Sequence, residues 1–146
     1  MQTPIESSHA ATIAALARPL DLRGLTLASL HAVMATRLCA QFDRVQREPL
    51  AELAQRYRSF EAAEAVLSLL GRIRKDWPEP FLVNRPCCLA LSPDETTLAG
   101  MVRSASAGDR DGFGAVICGF IRPDRHDRLY DATLRAVVLL AAAGGT

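Results

Sequence analysis

The chain has 146 residues, of which 49% are hydrophobic and only 5% aromatic, and its formal net charge is +1. A chain of this length can form one domain whose core needs no disulfide bonds, so we expect a single domain over residues 1–146. The near-neutral charge argues against a general attraction to nucleic acid or to an anionic membrane, and we expect neither partner.

The first 18 residues are ambiguous. They can form a short helix that Ser7 or Ser8 caps and that ends before Pro19, or they can be a flexible arm. They lack the basic start and apolar run of a secretion signal, and no stretch has the roughly 18 apolar residues of a membrane span. We therefore expect a cytoplasmic protein with reduced cysteines.

The first clear helical pattern covers Leu25 to Val45. Apolar residues recur there at spacings of three and four, which predicts one buried stripe. A shorter helix follows Pro49, a residue that suits a helix start. The predicted stripe consists of Leu27, Leu30, Met34, Leu38, Phe42 and Val45.

The next helix is predicted to begin after Ser59, which can act as its N-cap. Its inner face is predicted to hold Phe60, Ala63, Leu67 and Leu70, with Val66 and Ile73 flanking that face. The basic residues near position 75 suit a helix C-terminus because they complement the helix dipole. We expect Leu67 and Leu70 to be core residues.

A proline-rich stretch at about residues 77–91 separates these helices from the second half of the chain. Phe81-Leu82-Val83 has no second strand candidate to pair with, so we interpret the stretch as an extended, buried connector. Ser92-Pro93-Asp94-Glu95 then combines a serine N-cap, proline at the first helical position and glutamate at the third. This is the capping-box arrangement, and it predicts a helix start at residue 93.

Two further helices are predicted after Gly108, a plausible C-cap of the preceding helix. Residues 113–121 are almost wholly apolar and favour a buried helix. The last helix is predicted from about Arg125 to Ala143, and its apolar residues almost encircle it. Such a helix is either central in the core or covered by a second copy, so a homodimer through the last helix is one expectation. The residues that carry this argument are Leu129, Ala136, Val137, Leu139 and Leu140.

The adjacent cysteines Cys87 and Cys88 form the most unusual motif in the chain. They are the candidate metal ligands, although a metal site usually needs three or four ligands and adjacent cysteines in extended chain point apart. Cys39 and Cys118 can add sulfur only if the fold brings them close. The alternatives are a redox-active thiol pair beside Arg85 and small hydrophobic residues that pack in a reduced core. We favour the last of these.

No catalytic constellation is recognisable in the sequence. His31 fits a partly buried helix position, and His126 lies among charged residues at a predicted helix start. Asp109-Arg110-Asp111-Gly112 lacks the further ligands of a calcium loop. We therefore predict no catalytic residue and no cofactor, and we lean against an enzyme.

The segment from Phe60 to Glu95 resembles a family of small bacterial proteins of unknown function. In that family a leucine-rich helix leads through an extended stretch to Pro-Cys-Cys, often Pro-Cys-Cys-Cys, and then to a capped helix with an acidic start. The matching residues are Leu67, Leu70, Pro86, Cys87, Cys88, Ser92 and Glu95, while Leu89 stands where a third cysteine can occur. The resemblance implies an all-helical fold and no known activity.

Together these patterns predict an all-α fold, a single compact domain of five or six helices around the connector at 77–91. The function that we favour is a non-enzymatic interaction or regulatory module that binds a protein partner or itself. The alternative is a thiol-based metal-binding or redox protein that uses Cys87 and Cys88.

Overall fold

The computed structural model describes residues 21–144, and the predicted helix or arm at residues 1–18 lies outside them. The described part contains six α-helices and no β-strand, which confirms the all-α prediction. The helices are α1 (Leu27–Arg44), α2 (Leu50–Tyr57), α3 (Phe60–Asp76), α4 (Pro93–Ser106), α5 (Arg110–Ile117) and α6 (His126–Gly144). None of the helices within residues 21–144 has the length and apolar character needed to cross a membrane.

The helix starts follow the capping chemistry of the sequence. The Ser59 side chain accepts from the Ala62 N–H (3.0 Å) at the start of α3. Both hydrogen bonds of the predicted capping box are present at the start of α4. Each cap satisfies an amide that has no partner within its own helix.

Helix α6 lies at the centre of the packing. It packs along α3 and α4, while α1 packs on α4, α2 on α3, and α5 on α4. Leu129 and Ala136 of α6 are almost completely buried. The helix is therefore a core element, which was one of its two predicted roles.

The predicted inner faces of α1 and α3 are confirmed at Leu38 and Ala63, which are buried, but several of the other predicted residues are exposed or only partly buried. Leu27 and Val45 of the predicted α1 stripe are 66% and 62% exposed, and Phe60 of α3 is 57% exposed. Leu67 and Leu70, predicted as core residues, are only partly buried and pack at its edge. The residues that α3 buries are Ala62, Ala63, Ala65, Val66, Leu69 and Ile73. Alanine lets the helices approach closely, so the most buried face is not the face with the largest side chains.

The apolar segment at residues 113–121 is only partly helical. Helix α5 starts earlier than predicted, at Arg110, because the Asp109 carboxylate accepts from the Gly112 N–H (2.9 Å). It ends at Ile117, and Gly119 then adopts φ +94°, a conformation that favours glycine. Cys118 is thus exposed in the turn, not inside an apolar helix.

Candidate functional site

A buried ion pair joins α1 to the start of α4. The Arg37 guanidinium donates from Nε to Glu95 Oε2 (2.8 Å) and from Nη2 to Glu95 Oε1 (3.0 Å). Both side chains have no solvent-exposed surface. The hydrogen bond with Glu95 raises the pKa of Arg37, so the guanidinium stays charged. A bidentate pair of this kind holds two elements in one relative position.

The same guanidinium also anchors the connector, defined here as residues 77–91. Arg37 Nη1 donates to the Cys88 carbonyl (2.7 Å), and Nη2 donates to the Ala90 carbonyl (3.0 Å). The Leu22 N–H donates to the intervening Leu89 carbonyl (2.9 Å). Three consecutive carbonyls of the connector thus accept hydrogen bonds, which fixes its second half without a strand.

The first turn of α4 holds the other half of the connector. One oxygen of the Asp94 carboxylate accepts from Trp77 Nε1 (3.1 Å), and the other accepts from the Leu82 N–H (2.7 Å). The Ser92 hydroxyl donates to the Leu82 carbonyl (2.7 Å) while it accepts from the Glu95 N–H (3.0 Å). The capping residues predicted from the sequence therefore have a second role as the clamp on the connector.

Cys87 and Cys88 lie on a turn within the clamped segment. The Cys88 N–H donates to the Arg85 carbonyl (3.0 Å), and Pro86 and Cys87 occupy the two corners of this turn. Cys87 is exposed and Cys88 is half-buried. A thiol reagent can therefore reach the pair from solvent.

The other two cysteines do not join this pair. Cys39 is half-buried in α1, and Cys118 is exposed after α5. Within residues 21–144 no group of three or more His, Cys, Asp or Glu side chains is placed to hold one metal ion. The sequence-predicted ligands Cys87 and Cys88 thus have no third ligand in the described part of the chain.

An open, mostly apolar groove of about 560 Å³ lies where the connector passes α1 and α3. We call it the connector groove. Trp77 is 9% exposed and contacts Phe81, with ring centroids 5.3 Å apart. The connector contributes Trp77, Pro78, Pro80, Phe81 and Val83 to the lining, and the two helices contribute mainly small and aliphatic side chains.

Few polar groups interrupt the connector groove. Asp43 and Arg74 form an ion pair at its edge (3.0 Å), and Glu79 lies at its mouth without an ion-pair partner among the described residues. The Cys39 thiol lines the groove, and burial together with the nearby Asp43 carboxylate raises its pKa to about 11. This thiol is protonated near neutral pH and is a poor nucleophile.

Phe81-Leu82-Val83 departs from its predicted burial in one respect. Phe81 and Val83 are half-buried and line the connector groove, whereas Leu82 is 62% exposed and does not. The segment therefore forms the wall of a surface groove and does not plug the core.

His31 and His126, the histidines within residues 21–144, each contact a neighbouring group of the protein. One ring nitrogen of His126 lies 2.9 Å from the Ile121 carbonyl. The His31 ring meets the Tyr57 ring edge-on, with centroids 5.2 Å apart, and burial lowers the pKa of His31. Neither arrangement forms a pair of nucleophile and base.

Arg37 is the site residue that sequence reasoning missed. A signal was present, because Arg37 follows Ala32, Val33, Ala35 and Thr36 on the small-residue face of α1. A buried face predicted from small residues would have included it, and a buried arginine requires an acidic partner.

No family model matches the chain, and neither the curated proteins nor the solved structures that were compared with it contain a similar protein.

Proposed function

We propose that this protein is a non-enzymatic interaction module and that its binding surface is the connector groove. The observation that carries the proposal is an apolar groove of about 560 Å³ with Trp77 and Phe81 in its wall. Ligand sites are commonly concave, mostly apolar and of a few hundred cubic ångströms.

The wall of the groove is held in place before any partner binds. Trp77 is fixed by its hydrogen bond to Asp94 (3.1 Å), and Asp94 also fixes the backbone at Leu82. A preorganised surface loses little conformational entropy on binding, which favours affinity.

The occupant that fits the groove is a partner segment with apolar anchor side chains next to a lysine or arginine. Asp43 and Arg74 neutralise each other, so Glu79 gives the lining a net negative charge. Aromatic and aliphatic anchors that fill a pocket dominate the energy of many interfaces. A cationic residue beside the anchors complements Glu79 and sets the orientation.

Peptide display on the full chain tests this proposal. We expect the selected peptides to combine apolar residues with a nearby lysine or arginine, and to change the fluorescence of Trp77, the only tryptophan. Phe81→Ala removes part of the wall and is expected to weaken binding at least about tenfold. Leu82→Ala is the matched control, since that exposed side chain lies outside the groove. The proposal is contradicted if the two variants weaken peptide binding equally, or if the selected peptides are acidic.

A thiol-based function of Cys87 and Cys88 is the second candidate. The observation in its favour is that Cys87 is exposed on a turn whose neighbouring carbonyls are fixed. A metal at this pair would need ligands from a partner or from outside residues 21–144. Metal analysis of protein purified without chelator, combined with thiol titration, tests this candidate. Stoichiometric metal that Cys87→Ser removes supports it, and four free thiols without metal contradict it.

We also infer a bacterial, cytoplasmic protein that belongs with the Pro-Cys-Cys family. Support for the location comes from cysteines that form no disulfide in the described residues. Support for the family comes from the exposed Cys87 turn followed by the capped helix α4. The net charge of +1 favours a protein partner over nucleic acid.

A further inference from the structure

A second cavity has a volume of about 620 Å³. Its lining is positively charged, whereas that of the connector groove is negatively charged. The second cavity is formed by the start of α1, the end of α2 and the end of α6, and we call it the α6 cavity. Leu27, Val137 and Leu140 contribute apolar surface, and Leu27 is 66% exposed. A concave, mostly apolar surface of this size is typical of ligand sites.

The charged groups that line the α6 cavity are all cations. Neither Asp nor Glu occurs among the described residues of its lining. Arg56 is engaged by Glu52 (3.1 Å), whereas Arg58 has no ion-pair partner among residues 21–144. The burial that lowers the pKa of His31 keeps this ring neutral near pH 7, so it adds no positive charge of its own. Among residues 21–144, Arg58 is thus the charged residue of this mostly apolar lining that no carboxylate engages.

The backbone at Arg58 does not account for the arginine. This residue ends α2 in the left-handed conformation (φ 55°, ψ 36°), which favours glycine. An L-residue other than glycine is disfavoured there because its Cβ crowds the backbone. The fold would therefore be served at least as well by glycine, and the side chain is free to serve binding.

We propose that the α6 cavity binds an aliphatic carboxylate, with the chain against Leu27, Val137 and Leu140 and the carboxylate paired with Arg58. The arginine fork matches the two oxygens of a carboxylate, and the apolar lining removes the chain from water. This proposal does not rest on the connector groove, which carries the opposite charge and is lined by other residues.

Isothermal titration of the full chain with decanoate, below its micelle concentration and at about pH 8, tests the proposal because the carboxylate is then ionised. We expect saturable binding near one site per chain, and much weaker binding of decylammonium, which has a similar chain and a cationic head. Arg58→Gly is expected to weaken decanoate binding roughly tenfold to a hundredfold. Its fold should be intact, since glycine suits this backbone conformation. Arg44→Gln is the control, because Arg44 is exposed and lies outside the cavity.

A second pair of variants tests the position of the chain. Ala141 lines the cavity and Ala142 does not, although both are exposed on α6. Ala141→Trp is expected to abolish decanoate binding by filling the cavity, and Ala142→Trp to leave it unchanged. The proposal is overturned if decanoate fails to bind, if decylammonium binds as tightly, or if the members of either variant pair behave alike.

Discussion

Removing one partner of the Arg37–Glu95 pair is expected to destabilise the protein strongly. Arg37→Met leaves the Glu95 carboxylate buried without its cation, and Glu95→Leu leaves the Arg37 guanidinium without its anion. Both side chains have zero exposure, so water cannot replace the lost partner. Each single substitution is therefore expected to lower the free energy of unfolding by about 3–5 kcal/mol. If the two effects were independent, the double variant would lose about 6–10 kcal/mol.

The double variant Arg37→Met/Glu95→Leu is expected to lose much less than that sum. It contains no unpaired buried charge, and its deficits are the donor lost by the Cys88 carbonyl and the acceptor that the Ser92 and Asn84 N–H groups lose with the Glu95 carboxylate. The Ala90 carbonyl keeps a second donor, Asn84 Nδ2 (2.8 Å). Only the Ser92 hydrogen bond is buried, while those of the Cys88 carbonyl and the Asn84 N–H are part-buried and can be replaced by water, so these three losses amount to about 2–4 kcal/mol.

Urea unfolding followed by the fluorescence of Trp77 measures all four proteins. Linear extrapolation gives the free energy of unfolding of each, and a stabilising osmolyte added equally to all keeps the weakest variants folded at the start. The double-mutant cycle then gives the coupling between the two side chains. A coupling below about 0.5 kcal/mol would refute the buried pair as the link between α1 and α4.

Further predictions concern the cap, the core, the thiols and the assembly. Ser92→Ala is expected to lower the free energy of unfolding by about 1–2 kcal/mol in urea melts, and no measurable loss would contradict its capping role. Leu69→Ala is expected to lose about 2–5 kcal/mol, clearly more than Leu67→Ala, because only the former is completely buried. Alkylation followed by mass spectrometry is expected to modify the exposed Cys87 first. Cys39 is expected to react slowly below its pKa of about 11 and faster as the pH rises towards that value. Equal reaction rates of the two thiols near neutral pH would contradict this prediction. Light scattering tests the predicted homodimer through the last helix. A mass near the monomer value of 15.8 kDa at about tens of micromolar would refute it.

The start of α4 shows what could be predicted from the sequence. The capping box at Ser92 and Glu95 depends on side chains and amides only three residues apart, so local chemistry determines it. The same is true of the Ser59 cap on α3. The predicted starts of α3 after Ser59 and of α4 at residue 93 are accordingly confirmed.

Burial and long-range pairing were harder to predict because they depend on which helices meet. Leu27 and Phe60 are large and helical in spacing, yet both are exposed. The buried faces of α1 and α3 mix alanine with larger residues such as Leu38 and Leu69, and alanine by itself carries little information about which side of a helix is buried. Arg37 and Glu95 are 58 residues apart, and no local pattern joins them. The connector groove also depends on distant segments, since α1, α3 and the connector all line it, and no local pattern predicts it.

Helix α6 illustrates a partial success. Its broad apolar surface predicted either a central helix or a covered one, and its burial against α3 and α4 accounts for Leu129, Ala136 and Leu140. Val138 remains 56% exposed, and Val137 and Leu139 are half-buried. The surface left for a second copy is therefore smaller than the sequence suggested.

The clamp on the connector has a consequence for amide hydrogen exchange. Segments without regular secondary structure usually exchange rapidly, because their amides open through small local fluctuations. The amides of Leu82 and Ser92, however, donate to the carboxylates of Asp94 and Glu95, which are fixed only while the first turn of α4 is formed. These amides can exchange only when that turn opens or the carboxylates swing away. The irregular connector and a regular helix thus belong to one cooperative unit, and the slowest-exchanging irregular amides of the described chain should lie at residues 82 and 92.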